Sequence, residues 1–306
     1  LDGIKISMFD DYWKVNGDKI KQEIYVGKYV PGVVKLHEIV NAKQKRRSIS
    51  LMNTVDRFIY RALMQEMSRF WEPLFSEYAY AYRDYKGTQQ AVEQAATYIE
   101  QGYKWSAEID IESYFDNIDQ GKLLLKVQEY IQDPRVFDLL IGYCRCTIMD
   151  DHIFYQKEKG ILQGGSLSPL LSNIYLNGLD HYMEKQEYIN IYCKSYEDAF
   201  KQYQDVKTYL EEKEGLSLNI GKSGVFKALN RKYLGYRFSE KDGKVFVKKE
   251  QKAYRTVYRD WYTTGITRID HNYHLINEGI LTKHDFTILF EGDEGKKYIP
   301  VETAES

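Results

Sequence analysis

Lys104–Ile118 reads KWSAEIDIESYFDNI. Trp105, Ala107, Ile109 and Ile111 alternate with Ser106, Glu108 and Asp110, the period-2 pattern of a strand with one packed face. Asp110 stands near the end of that strand, and the aromatic pair Tyr114-Phe115 and then Asp116 follow it. A carboxylate there, before a turn into a helix, is placed to hold a metal ion at the rim of a sheet. Taken alone, its plainer reading is a solvated aspartate at a strand end. The rest of the chain has to decide.

Downstream, Asp119 caps a helix carrying Leu123, Leu124, Val127 and Ile131, and a further helix is expected from about Asp133 to Tyr143. Thr147 to Gln156 reads as a hairpin turning at Asp150-Asp151-His152. Residues 160–170, GILQGGSLSPL, bring two adjacent glycines that let a backbone approach a ligand closely. Ser168-Pro169 then starts a helix running to about Lys185. Ile189–Cys193 reads as a short strand. Ser195 with Asp198 opens a helix whose buried face is Ala199, Tyr203, Val206 and Leu210, ended by Gly215. Leu216, Leu218 and Ile220 alternate as a strand before Gly221-Lys222. Tyr233–Phe238, a turn at Asp242-Gly243 and Lys244–Val247 form a last hairpin.

Upstream, short helices are expected over Ser7–Asn16 and Asp18–Val26, then an extended segment from Val33 to Val40 after Pro31. Residues 41–47, NAKQKRR, form a basic turn before a second strand, Ser48–Met52. A hairpin tip with four cations can clamp phosphates; its alternative is a solvated loop. Asn53 has the character of a helix cap, with Asp56 at the third helical position and Val55, Phe58, Ile59, Ala62, Leu63 and Met67 at helical spacing. Tyr78–Lys86, YAYAYRDYK, is an aromatic and basic loop. Gly87-Thr88 starts another helix, with Ala91, Val92, Ala95 and Ile99 on one face and Gly102 closing it.

The 306 residues suit one large or two modest domains, and 43% apolar with 29% charged content is ordinary for a soluble globular protein. No run of about 18 apolar residues exists, so no membrane partner is expected. Cys144, Cys146 and Cys193 are odd in number and lack C-x-x-C spacing, against a disulfide framework or zinc site and in keeping with a cytoplasmic location. The first residues, LDGIKISMFDDYW, carry no charged-then-apolar leader, and Leu1 in place of a start methionine points to a longer gene product. A net charge of −2 does not favour a nucleic-acid binder, although local distribution outweighs the sum. The 28 tyrosines include candidates for base stacking, beside a larger number expected in packing.

From about Pro31 to Phe238 the chain resembles bacterial reverse transcriptases of the group II intron type. AEIDIESYFDNI (107–118) resembles their first catalytic motif, and ILQGGSLSPLLSNIYL (161–176) the template and nucleotide-gripping motif. LSLNIGKSG (216–224) resembles the lysine-bearing motif, KYLGYRF (232–238) the primer grip and RSISLMNTVDRFIYRAL (47–63) the end of the fingers. GILTKHDFTILF (279–290) and KYIPVE (297–302) are similar to the first strands of the CRISPR spacer integrase. The resemblance implies an α/β (α+β) right-hand polymerase: palm and fingers with an antiparallel palm sheet backed by helices, plus a partial C-terminal β-rich segment. Residues 1–104 would be fingers and N-terminal region and 105–249 palm. Residues 250–271 would be a linker or thumb remnant, and 272–306 the start of the integrase-like β domain.

The same resemblance implies a catalytic site. Asp110 and the Ile111 carbonyl would bind two Mg²⁺ ions (Mn²⁺ being the alternative). Phe115 would pack under the sugar and exclude a 2′-hydroxyl; its alternative is core packing. Arg47, with Lys43 or Lys45, would hold the incoming triphosphate, and Gln163, Gly164 and Gly165 would line the nucleotide pocket. Lys222 would protonate departing pyrophosphate, or be an ordinary solvated lysine. The implied activity is RNA-directed DNA synthesis in CRISPR spacer acquisition. Its partners would be an RNA template, a DNA primer or RNA–DNA hybrid, dNTPs, and CRISPR integrase subunits with their small companion protein. A catalytically dead scaffold and a stand-alone defence polymerase are the rivals.

One departure stands out. The family carries a tyrosine, a variable residue and two aspartates at a hairpin tip between the helix ending near Lys185 and the strand ending at Cys193. Residues 185–193 read KQEYINIYC, with neither aspartate. Either a stretch is missing from the sequence, which a Cα step well beyond about 3.8 Å in Gln186–Asn190 would reveal, or the deletion is real. This chain by itself is not expected to polymerise.

Overall fold

The computed structural model describes residues 3–40, 46–186, 192–249, 288–292 and 295–299. Helix α1 (Phe9–Tyr25) is continuous where the sequence suggested two short helices. Phe9 and Trp13 stack on each other and meet Phe58 at a tilt, with centroids 4.6–5.7 Å apart, and Ile20, one further heptad on, is buried. That packed stripe outweighs the helix-weakening Gly17 at the suggested break. Strands β1 (Val34–Val40) and β2 (Arg46–Leu51) pair antiparallel, with the turn at 41–45 outside the described residues.

Helix α2 (Thr54–Trp71) starts as its cap residue dictates: the Asn53 side chain accepts the Asp56 amide at 2.7 Å. Asp56 itself is buried, accepting the Gly32 amide at 2.9 Å and the Tyr29 hydroxyl, so one carboxylate fastens the incoming chain to the helix. Burial and that carboxylate push the Tyr29 hydroxyl pKa up. Replacing Asp56 by Asn keeps the size and loses the charge, so it should lower urea-unfolding stability by roughly 2 kcal/mol, the worth of a charge-assisted bond.

Helix α3 (Thr88–Glu100) leads into β3 (Trp105–Glu108). After it come the one-turn α4 (Tyr114–Asn117), α5 (Gln120–Gln128) and α6 (Pro134–Cys144), then the short strands β4 (Ile148–Asp150) and β5 (Ile153–Tyr155). Helix α7 (Ser168–Lys185) opens with proline in its first turn. Strand β6 (Tyr192–Cys193) and α8 (Tyr196–Thr208) follow, α8 running on through a π-type segment to Gly215. Strands β7 (Gly224–Lys227), β8 (Lys232–Tyr233), β9 (Tyr236–Lys241) and β10 (Lys244–Lys249) complete the first unit.

Among the described residues of that unit there are three sheets. One has the order β2-β1-β4-β5, in which β1 and β4 are parallel and the other pairs antiparallel. The second, β6-β3-β7, is wholly antiparallel, with Trp105 opposite both Cys193 and Lys227. Helix α8 backs it, Tyr196 meeting Trp105 edge-on at 5.2 Å. The third, β10-β9-β8, lays Phe238 and Val245 on the α3 face formed by Val92, Ala95 and Ile99. One continuous core, centred on Tyr60, Leu140, Tyr143, Leu171 and Tyr175, joins α2, α6 and α7. This is the mixed helix-and-sheet architecture of palm and fingers.

Leu216–Ile220 forms no strand, contrary to its alternation. Only Leu218 bridges to Ile111, and Ile220 is 83% exposed. The backbone instead curls, with the Lys222 and Ser223 amides bonded to the Asn219 carbonyl.

Residues 252–306 form a separate unit, in which β11 (Ile288–Gly292) and β12 (Gly295–Ile299) pair antiparallel. The readings of 250–271 as a linker or thumb remnant, of 272–287 as part of an integrase-like β domain and of chain continuity at 186–190 lie outside the described residues, apart from Gln186.

Candidate active site

Strand β3 ends at Glu108 because the next backbone groups turn to another partner. The Asp110 amide donates to Ser223 Oγ at 2.9 Å, and its carbonyl accepts the Asn219 amide at 2.8 Å. Two residues on, the Glu112 amide meets the Ser217 carbonyl at 2.9 Å. Residues 217–223 therefore clasp 110–112 from the side and deliver Lys222, whose Nζ lies 2.8 Å from Asp110 Oδ2. Ile111, read as a metal ligand through its carbonyl, is half-buried against the core and bridges to Leu218.

Asp110 and Lys222 line a cleft of about 650 Å³. Glu108, the last residue of β3, also lines it and accepts Arg231 Nε at 2.5 Å. Tyr78 and Tyr80 of the aromatic loop, with Tyr192 and Tyr233, give it flat apolar walls. The buried Arg83 guanidinium fixes that loop by donating to the Ser76 and Ala79 carbonyls at 2.6 and 3.0 Å. Cations, flat rings and a carboxylate at a strand end suit a nucleotide or nucleic-acid strand.

Asp180, Met183 and Glu184 of α7 also line the cleft. Burial pushes the Asp180 carboxyl up to about 6. Glu184 accepts Ser76 Oγ at 2.5 Å, which holds its pKa down. His181 lies between two acceptors, Glu184 Oε2 at 3.1 Å and the Leu74 carbonyl at 3.0 Å. Both ring nitrogens can donate only in the imidazolium form. Burial alone lowers the His181 pKa, but the Glu184 and Leu74 bonds win and raise it. A raised value means stability that is full below the unfolded pKa of about 6.5 and lost as pH rises through the folded one. The melting-temperature gap between the parent and His181→Gln should therefore be widest in mild acid and narrow as pH rises.

Phe115, Gln163, Gly164 and Gly165 do not line this cleft. Gln163 bonds instead to Asp116, which follows Phe115 and accepts Gln163 Nε2 and Lys157 Nζ, each at 2.7 Å. The Phe115 carbonyl takes the Ile161 amide at 2.8 Å, and its ring packs on the core. The two glycines meet protein. A Cβ on Gly164 would lie 2.6 Å from Ile49 Cγ2 of β2, and one on Gly165 2.0 Å from Tyr143 Oη. The Gln163 carbonyl takes the Ser50 amide at 2.7 Å, tying the loop to the same strand. Arg47 sits on β2 opposite Ile39, while Lys43 and Lys45 fall outside the described residues.

The sequence profile of the family described as reverse transcriptase (RNA-dependent DNA polymerase) matches residues 35–238, more than half of the chain. The chain belongs to the reverse transcriptase family. It is 28% identical over 190 residues to Protein YkfC of Escherichia coli, covering 61% of this chain and 50% of that protein. It is also 28% identical over 182 residues to the group II intron-encoded protein LtrA of Lactococcus lactis, covering 59% of this chain and 30% of LtrA. The chain thus spans half or less of these relatives. Among solved structures it resembles telomerase from Candida tropicalis in complex with a telomeric RNA fragment. That likeness has a TM-score of 0.52 at 12% identity, covering 79% of this chain and 49% of that one, and speaks to the fold.

Two divalent ions, as this family implies, do not fit the residues present. Asp110 carries Lys222 directly on its carboxylate, and no group of three acidic, histidine or cysteine side chains converges among the described residues. The sequence from Gln186 to Cys193 adds Glu187 and no aspartate. Glu108 and Arg231 are cleft residues that motif reading overlooked, as it overlooked Ser223, whose hydroxyl takes the Asp110 amide. Glu108 was findable, since it stands two places before Asp110 in the alternating stretch.

Proposed function

We propose that this chain is the fingers (1–104) and palm (105–249) of an RNA-directed DNA polymerase. We read 250–271 as a linker or thumb remnant and 272–306 as the start of a CRISPR integrase-like β domain. The observation that carries the activity is the Asp110–Lys222 pair at the rim of a strand, inside a tyrosine- and cation-lined cleft. In this reading Asp110 is the acidic end of the site, Lys222 a proton donor to the leaving group, and the cleft takes template and primer. Phe115 and Gln163, joined through Asp116, shape the deoxynucleotide side together with Arg47, Lys43 and Lys45. On this reading an acidic pair that would let Mg²⁺ bind, which residues 186–192 of this sequence lack, would stand between Gln186 and Tyr192. The likeness of residues 279–302 to integrase strands, part of which forms the β11–β12 pair, supports use in CRISPR spacer acquisition beside integrase subunits in the cytoplasm.

The ion pair on Asp110, with no converging group of three acidic, histidine or cysteine side chains among the described residues, favours a second reading: a nucleic-acid-binding scaffold without catalysis. RNA-templated primer extension by the natural full-length protein separates the two. Synthesis that Asp110→Ala abolishes supports the enzyme, whereas synthesis that survives Asp110→Ala refutes it.

A further inference from the structure

Strand β5 ends the sheet β2-β1-β4-β5, and among the described residues no strand lies against its outer edge. Edge strands are usually guarded by a charge, a proline or a bulge that blocks further pairing. This one carries Ile153, 69% exposed, Phe154, 60% exposed, and the exposed Tyr155.

The backbone along that edge has a definite direction. The Val34 amide donates to the Thr147 carbonyl at 2.8 Å, so Thr147 and, two places on, Met149 turn their polar groups towards β1. Ile148 and Asp150 are left to bond Tyr155 and Ile153, their partners in register. Phe154, between those two, therefore aims its amide and carbonyl outward. A second copy running antiparallel can meet them about a twofold axis through Phe154. Each Phe154 then exchanges both backbone bonds with its counterpart, and Ile153 stands opposite the second copy's Tyr155. A β-branched residue against an aromatic one is a favourable cross-strand pair. Tyr155 shares its face with Ile148 and Val34 of the core, so these pairs carry that apolar row across the axis. Charge agrees with the same register. Asp150 and Asp151 precede the strand while Lys157 and Lys159 follow it, so the axis lays the acidic end of each strand beside the basic end of the other. Lys157 is already bonded to Asp116, which leaves Lys159 as the complementary cation.

We propose that two copies of this chain pair through β5 as a closed antiparallel dimer. The pairing uses neither Asp110 nor a nucleotide, so it stands apart from the polymerase reading. Sedimentation velocity of the full chain over a concentration series should show monomer passing into dimer and no larger species. Phe154→Pro deletes an outward amide that the hairpin does not use, and Ile153→Lys puts a charge on the edge. Each should raise the half-dimerisation concentration at least tenfold, and far-UV circular dichroism of the dilute protein checks the fold. Cysteines read the register. Two copies of Phe154→Cys place their Cα atoms about 5.5 Å apart, within disulfide reach. Two copies of Ile153→Cys lie on the diagonal, at about 7–8 Å, beyond it. Cys144, Cys146 and Cys193 are buried, so oxidised dimer should form at least tenfold faster with Phe154→Cys than with Ile153→Cys. A parent that stays monomeric overturns the proposal, as does assembly beyond the dimer. So does a dimer that Phe154→Pro and Ile153→Lys both leave intact, or one that Ile153→Cys cross-links as fast as Phe154→Cys.

Discussion

Primer extension on an RNA template is expected to stay at background for this chain as its sequence stands. It should rise on the order of a thousandfold when a hairpin bearing Tyr-x-Asp-Asp is inserted between Gln186 and Tyr192. The flanking parts are already in place. Helix α7 delivers the chain at Lys185, and β6 is paired to β3 through Trp105–Cys193 and Ser106–Tyr192, beside the segment that ends in Asp110. Two carboxylates restored there would face the Asp110 rim. Metal-ion stabilisation worth several kcal/mol, at about 1.4 kcal/mol per decade of rate, sets the expected rise. Asp110→Ala in the restored chain should return extension to background without loss of oligonucleotide binding. A restored, folded chain that remains silent sinks the polymerase assignment. The intact mass of the natural protein tells directly whether the hairpin is already there.

Gly165→Ala should lower stability by about 3 kcal/mol, at the upper end for overpacking a core. The new methyl would lie 2.0 Å from Tyr143 Oη and 3.0 Å from its Cζ, and neither has room to retreat. Tyr143 is fully buried, with Tyr60 against it at 4.8 Å and its hydroxyl 2.7 Å from Ser168 Oγ. Ser168 in turn donates to the Leu162 carbonyl at 2.6 Å, so the loop and the start of α7 are locked through one tyrosine. Tyr143→Phe removes the blocking oxygen. The double variant should therefore recover part of the loss, and a urea-denaturation cycle reads the coupling. Strictly additive losses would mean that Gly165 is there for something other than Tyr143.

That pair shows where sequence reading stopped. Two adjacent glycines say that something comes close, not what. The resemblance supplied a nucleotide, and the structure places Ile49 and Tyr143 there. Local signals were read well: Asn53 caps α2, Asp119 and Asp133 cap α5 and α6, and Ser168-Pro169 opens α7. Each depends on neighbours within a turn. The alternation at Leu216–Ile220 misled because its backbone bonds go to Asp110 and Glu112, over a hundred residues earlier, and then curl. The tyrosine walls of the cleft were visible only as a loop rich in rings, since α3, β6 and β8 bring them together through distant pairings.

The parallel pairing of β1 with β4 has a kinetic consequence. Val34 finds its partner at Ile148, so the sheet begun by the first strands is finished by residues drawn from the range read as palm. Such distant closure slows folding, and on the ribosome the early hairpin, complete at Leu51, must wait, one edge bare, until β4 at Ile148–Asp150 has emerged. A fragment cut at residue 104 would leave that edge uncovered for good, exposed to self-association.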